Sequence, residues 1–362
     1  MIIDDTYKSI IEELPNRLRA CVDWLSFTIH SEEYQSPIQV MEFLGFKQSD
    51  FLRMAKGASG YRSMYLLNGD NIRILFDGKS DMGVHVDVSG SALSALLFSW
   101  KKKKSVLTPY KTVATEYRDF EYSLLLDLLD ALSEIAVFTR IDLAIDDIGC
   151  NYYSCYDVIH MIENQQLISK FKNYQHVCSS SLNDGTKQGQ TIYLGSRQSE
   201  IMVRIYDKKL EYFNRHNVVC PYEWVRWEME LKKDRANQAV KQLLETHSLS
   251  TVCIGILSHY LRFIVHDNSV KSRCSNDAVW DCFIDDIKGV SLYVPDNPKT
   301  IEDTKRWLNK YVGASLSAVI ESDGGSLDFI YDNLQKWQYK RQRNRNLTNR
   351  LMKETQKWEL EQ

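Results

Sequence analysis

Proline is scarce in this chain, six residues in 362, so stiff extended linkers are not expected. No apolar run approaches the roughly 20 residues of a membrane-spanning helix. The N-terminal MIIDDTYKSIIEELP carries acids where a secretory signal carries bases. The eight cysteines are scattered, with no CxxC pair and no HxxxH element to complete a zinc site. They read as reduced thiols, several of them buried. An excess of one charge is also missing: 45 Lys+Arg against 48 Asp+Glu leave −3, so bulk electrostatics do not announce a polyanion binder. What remains is an ordinary folded composition, 44% hydrophobic and 26% charged, long enough for two or three domains and expected in the cytoplasm.

Apolar spacing of three to four predicts helices over 4–20, 36–46, 91–104, 120–136, 153–171 and 234–248. Alternating segments between them predict strands: CVDWLSFTI, NIRILFD, GVHVDVSG, TRIDLAIDD, TIYLG, MVRIYDK and VRWEMELK. Polar stretches at 172–190 and 267–278 read as loops, and VPDNP at 294–298 as a turn before a separate helical unit. The expected class is α+β: a curved, mainly antiparallel sheet from two related halves, helices packed on one face, and a helical C-terminal unit. The boundaries are 1–135 for an N-terminal α/β half, 136–295 for a catalytic half and 296–362 for a basic helical segment. The relation between halves rests on an internal echo. VDWLS, MYLLNGDNIRILFDGK and HVDVSG are followed in the same order by IDLAI, IYLGSRQSEIMVRIYDKK and RWEMEL. Phe76 then falls near the place of Tyr206.

Four strands divide their faces alike. Ile141, Leu143 and Ile145 oppose Arg140, Asp142 and Asp146; Val225, Trp227, Met229 and Leu231 oppose Arg226, Glu228 and Glu230; Val84, Val86 and Val88 oppose His85, Asp87 and Ser89; Val203 and Ile205 oppose Arg204, Tyr206 and Lys208. One charged strand face is ordinary on a wet sheet; four together gather acids at a spacing able to supply hard oxygen ligands to Mg²⁺ or Mn²⁺, with His85 a weaker nitrogen candidate. Tyr206 lies between two cations. A neighbouring positive charge favours phenolate and neutralises a bound phosphate, so Tyr206 is the candidate nucleophile towards a phosphodiester, with Arg204 and Lys208 stabilising charge on the phosphoryl oxygens. Tyr193 has no charge beside it in its own strand; Tyr212 falls on a helix beyond the strand, and Tyr222 precedes the next one. Two basic runs, KKKK at 101–104 and the Lys340, Arg341, Arg343, Arg345 cluster in YKRQRNRNLTNR, are candidate phosphate contacts.

VDWLSFTI, GVHVDVSG, TRIDLAIDD, TIYLGSRQSEIMVRIYDKKLE and RWEMELK, in this order, resemble the replication initiation factor (Rep_trans) family. That family includes rolling-circle initiators of plasmids and filamentous phages and relaxases of integrative elements. The similarity runs from about residue 20 to 330, and its length and lack of an N-terminal helix-turn-helix are closest to the phage initiators. The resemblance implies a nickase that opens a double-stranded origin, becomes joined through tyrosine to the 5′-phosphate, frees a 3′-hydroxyl primer and later rejoins the strand. Tyr206 matches the family's tyrosine; Asp142, Glu228 and Glu230 match its acidic strand positions, Asp146 and Asp87 being second choices. No HxH is present, so the metal ligation of the larger HUH nickase group is not carried over. The implied cofactor is Mg²⁺ or Mn²⁺. The implied partners are double-stranded origin DNA, single-stranded DNA and the host helicase and polymerase in a bacterial cytoplasm, with no membrane; a homodimer is compatible with recognition of inverted repeats. A conjugative relaxase and a non-catalytic origin-binding protein are the alternatives.

Overall fold

The computed structural model describes residues 18–69, 71–107, 117–216, 219–288, 305, 308–309 and 312–341. The chain divides into two units, Met1–Asp296 and Asn297–Gln362.

In the first unit, two passages of the chain build two halves of one sheet. The first runs β1 (Leu18–Ile29), α1 (Pro37–Phe43), β2 (Phe51–Met54), β3 (Ser63–Leu67), β4 (Ile72–Phe76), β5 (Val84–Ser89), α2 (Gly90–Leu107) and α3 (Tyr117–Ser133). The second runs β6 (Ala136–Ile148), α4 (Cys155–Glu163), β7 (Leu167–Ser169), β8 (Tyr174–Ser180), β9 (Lys187–Gly195), β10 (Ile201–Asp207), α5 (Lys208–His216), β11 (Trp224–Lys232), α6 (Asp234–Thr246) and α7 (Leu249–Tyr260). β12 (Leu261–Phe263) pairs with β7 in a small second sheet, and α8 (Ala278–Ile287) follows. The ten-stranded main sheet has the order β2-β3-β4-β5-β1-β6-β11-β10-β9-β8, antiparallel at every pair. In each half the chain passes from a long central strand to the outer edge and meanders inward until its last strand lies beside the first, so the order reads the same outward from the β1–β6 seam.

The alternation explains why the sheet has one covered face. Ile141, Leu143, Ile145, Val203, Ile205, Trp227, Met229, Val86 and Val88 are buried and join one continuous core with Leu93, Leu97, Leu128, Val240, Leu243 and Leu257 from the helices. Both halves, divided at 135/136, share this core. Trp227 is wholly buried against Tyr153, Phe263, Trp280 and Phe283.

Several expected elements differ. The stretch 172–190 is not a loop: it holds β8 and the start of β9, a hairpin whose outer strand is exposed at all seven residues. A strand solvated on both faces needs no apolar alternation, which is the signal it lacks. The helix expected over 153–171 stops at Glu163 and gives way to β7. The 4–20 helix falls mostly outside the described residues, and 18–20 already belong to β1. Helices α7 and α8 were not read from the sequence. The KKKK run is the continuation of α2, with Lys103 donating to the Phe43 carbonyl at 2.7 Å and Lys104 paired with Asp127 at 3.1 Å. The 294–298 turn lies outside the described residues. In the second unit the described helices are α9 (Gly313–Ser322) and α10 (Asp328–Arg341). Among the described residues, no helix is long and apolar enough to cross a membrane.

Candidate active site

The face of the sheet opposite the core is lined by the charged half of each alternation. Cross-strand register decides which of those residues meet. Arg204 of β10 stands opposite Glu228 of β11, Glu228 opposite Ala144 of β6, and Glu230 opposite Asp142. Tyr206 stands opposite Arg226 on one side and Thr191 of β9 on the other.

Side chains then close on one another diagonally. The Tyr206 hydroxyl donates to Glu228 Oε2 at 3.0 Å. Arg204 Nη2 donates to the other Glu228 oxygen and reaches Asp142 Oδ2 at 3.4 Å. Arg140 grips Asp142 with two bonds, Nε to Oδ1 at 2.8 Å and Nη2 to Oδ2 at 2.5 Å, and meets Glu230 Oε2 at 2.8 Å. Lys232 caps the other Glu230 oxygen. The carboxylates lie at the bottom of this layer, Asp142 and Glu228 each 1% exposed, while the Arg140 and Arg204 side chains above them are 26% exposed.

These surroundings shift protonation. Burial, and next the Glu228 charge, push the Tyr206 phenol well above its ordinary value despite Arg226 nearby. The expectation that flanking cations favour the phenolate is therefore corrected. Arg204 is already spent on two carboxylates, and Lys208 Nζ is bound to Glu211 at 2.5 Å. Burial and Glu228 likewise raise Asp142 well above the ordinary carboxyl range, with Arg140 pulling the other way. Burial also opposes ionisation of Glu230, yet Lys232 and Arg140 hold it below that range.

Lys208 does not continue the strand face, since β10 ends at Asp207 and α5 begins at Lys208. Its ammonium still sits 5.6 Å from the Tyr206 ring centroid. Asp207 accepts from the Leu210 backbone N–H at 2.9 Å, which starts that helix. Tyr193 is less isolated than expected: it stands opposite Arg204, and Arg197 lies 4.9 Å from its ring centroid. Asp146 is tied up separately. Arg226 donates Nε and Nη2 to it at 2.6 and 2.7 Å and Nη1 to Asp23. Asp23 reaches Arg226 because β1 is irregular between Val22 and Trp24, and a bulge re-aims a side chain. Asp87 lies in the other half with Arg73, Ser26 and His85. Lys340 and Arg341 end α10 with side chains outside the described residues, as are Arg343 and Arg345 altogether.

The implied divalent ion does not fit this arrangement. Every oxygen of Asp142, Glu228 and Glu230 faces a guanidinium, an ammonium or the phenol, and among the described residues no three His, Cys, Asp or Glu side chains group closely enough to hold a metal. The alternation put Arg140 on the acidic face two residues from Asp142, but its contact with Glu230 of the neighbouring strand needed the register. Glu228 as partner of the phenol was missed for the same reason. The echo is corrected too. Arg73 pairs with Asp87 as Arg204 pairs with Glu228, so the first-half counterpart of Tyr206 is Leu75, two residues beyond Arg73 on the same face, and not Phe76.

Comparison with known proteins agrees with this fold. The chain is 27% identical over 316 residues, 86% of its length and 84% of the relative's, to a protein of Bacillus subtilis (strain 168) named "Putative DNA relaxase NicK". Its fold matches the solved structure titled "Structure of Rolling Circle Replication Initiator Protein from Geobacillus stearothermophilus" with a TM-score of 0.62 and 24% identity, covering 76% of this chain and 99% of that one. The description "Replication initiation factor" matches residues 136–336, more than half of the chain. The chain belongs to the replication initiation factor family.

Proposed function

We propose that this protein nicks and rejoins one strand of origin DNA through Tyr206, as a rolling-circle replication initiator. The observation that carries the reading is the Tyr206–Glu228 hydrogen bond at the centre of the charged face. The phenol is a poor nucleophile while it holds its proton. Glu228 Oε2 takes that proton as the Tyr206 oxygen attacks phosphorus. The new Oη–P bond forms, the P–O3′ bond breaks, and the 3′-oxygen leaves to become the primer hydroxyl after taking a proton from solvent. The protein stays joined to the 5′-phosphate. One phosphoester has replaced another, so the reverse attack by a 3′-hydroxyl reseals the strand. Once Glu228 has taken the proton, the Arg204 guanidinium beside it, about a quarter exposed, is placed to share its charge with a phosphoryl oxygen, and Lys208 Nζ lies 5.6 Å from the ring centroid.

The test is incubation of the protein with supercoiled origin plasmid. Nicked circles carrying tyrosine-linked protein are expected, Tyr206→Phe forms none while binding DNA as before, and peptide mapping finds the nucleotide on residue 206. Nicking by Tyr206→Phe at the wild-type rate removes the assignment. Divalent-ion dependence is read in the same assay with EDTA, Mg²⁺ and Mn²⁺; an ion held by Asp142, Glu228 and Glu230 requires Arg140 and Arg204 to release them. The relative named as a putative relaxase supports a second reading, the same chemistry at a transfer origin. A mobilisation assay with Tyr206→Phe separates the two. Host helicase, polymerase and dimer formation remain part of the proposal, tested by pull-down and by sedimentation.

A further inference from the structure

The first half of the sheet has kept the layered charge of the second without its phenol. Asp87 is 14% exposed and Arg73 above it 30% exposed, joined at 2.9 Å. In both halves the arginine spends its Nη2 on the acid, and Nε of Arg73 and of Arg204 is buried without an acceptor. Leu75 occupies the place of the nucleophile, and its side chain cannot form an ester. Between the halves stands Trp24. Its indole N–H donates to Ser26 Oγ at 2.6 Å and reaches Asp87 Oδ1 at 3.4 Å, which fixes the ring. Arg140 lies 4.8 Å and Arg73 5.8 Å from its centroid.

Three guanidiniums lie over buried acids: Arg204 on β10, Arg140 on β6 and Arg73 on β4. Arg140 and Arg204 converge on the same Asp142 oxygen, at 2.5 and 3.4 Å, and Arg140 and Arg73 both lie over Trp24; with strands about 4.8 Å apart, β1, which carries Trp24, stands about 14 Å from the nucleophile strand. A cationic track beside a fixed aromatic ring is the construction that holds unpaired nucleic acid, backbone on the charges and base on the ring. A broad sheet face does not enter a duplex groove, which admits a helix or a two-stranded ribbon.

We propose that the open face of the first half is a holding site for single-stranded DNA, in which Arg73, Arg140 and Trp24 position the strand that enters at Tyr206. This rests on the strand-cutting reading above, and it assigns the duplicated half a use: it grips where the other half cuts.

The test uses the full chain and a fluorescein-labelled oligo(dT) of twelve nucleotides, followed by anisotropy over a salt series. Trp24→Ala is expected to weaken binding by about 5- to 150-fold, the range for loss of one base–aromatic stack, while Trp24→Phe keeps most of the affinity. Arg73→Gln weakens binding and lowers the logarithmic salt slope by about 0.7, the value for one phosphate on a single strand. Affinity for a twelve-base-pair dA·dT duplex stays at the wild-type value in all three. Wild-type oligo(dT) affinity in Trp24→Ala and Arg73→Gln overturns the proposal. So does a loss in Trp24→Phe equal to that in Trp24→Ala, or an equal loss on duplex. Thermal unfolding is measured beside each; should Trp24→Ala fail to fold, Trp24→Phe and Arg73→Gln carry the decision. Because oligo(dT) binding needs no cleavage, failure of the wild-type protein to nick origin DNA would refute the enzymatic reading and leave this result standing.

Discussion

Replacing Glu228 by glutamine removes the proton acceptor while keeping the size of the side chain. The Tyr206 phenol is held well above its ordinary value, so near neutral pH it enters the reaction protonated and must lose its proton during attack. Glu228 Oε2, 3.0 Å away, accepts that proton. A positioned general base contributes about 10²- to 10⁴-fold, and Glu228→Gln is expected to slow covalent adduct formation by that range with DNA affinity unchanged. Its residual rate should climb about tenfold per pH unit on the alkaline side, because only spontaneously ionised phenol then reacts. Glutamine is the informative choice. Alanine would strip Arg204 of a buried partner, and breaking such a pair costs about 3–5 kcal/mol, whereas the glutamine variant leaves Arg204 an amide oxygen and Asp142. The assay is single-turnover capture of protein–DNA adduct on a denaturing gel from pH 6 to 9. An adduct forming at the wild-type rate, or losing rate in parallel with wild type across that range, refutes the role of Glu228.

Asp87 supplies a stability prediction. Burial opposes its ionisation, but hydrogen bonds from His85 and Ser26 and the nearby Arg73 hold it at about 2. A carboxyl depressed this far from 3.8 stabilises the fold by about 2 kcal/mol above its unfolded value, and that contribution is lost as pH falls through 2. Asp87→Asn should therefore unfold at lower urea concentration at pH 7, the gap closing towards pH 2; a gap independent of pH contradicts the argument. The basic C-terminal cluster is tested by changing Arg341, Arg343 and Arg345 together to glutamine. Duplex affinity should fall and the logarithmic salt slope shrink by up to about 2.7, at 0.9 per phosphate; unchanged affinity makes that segment a solvated tail.

Alternation in RIDLAIDD, MVRIYDK and VRWEMEL determined which side chains enter the apolar core and which share the charged face, because a strand has only two sides; that the charged face is itself largely buried was decided by the tertiary structure. The echo between the halves was legible for the same reason: two passages with the same order of strands fold to the same meander. The order of bulky and charged residues could not reveal the β8–β9 hairpin, which is solvated on both faces, nor the irregularity in β1 that brings Asp23 to Arg226. Above all it could not say who meets whom. Tyr206 sits between two cations in the chain, yet its hydroxyl bonds a carboxylate from the neighbouring strand, and the arginine beside it is held by acids from two other strands. Sequence spacing acts along a strand, while hydrogen bonds and ion pairs in a sheet run across it, and the offset between strands is set only when the whole core closes.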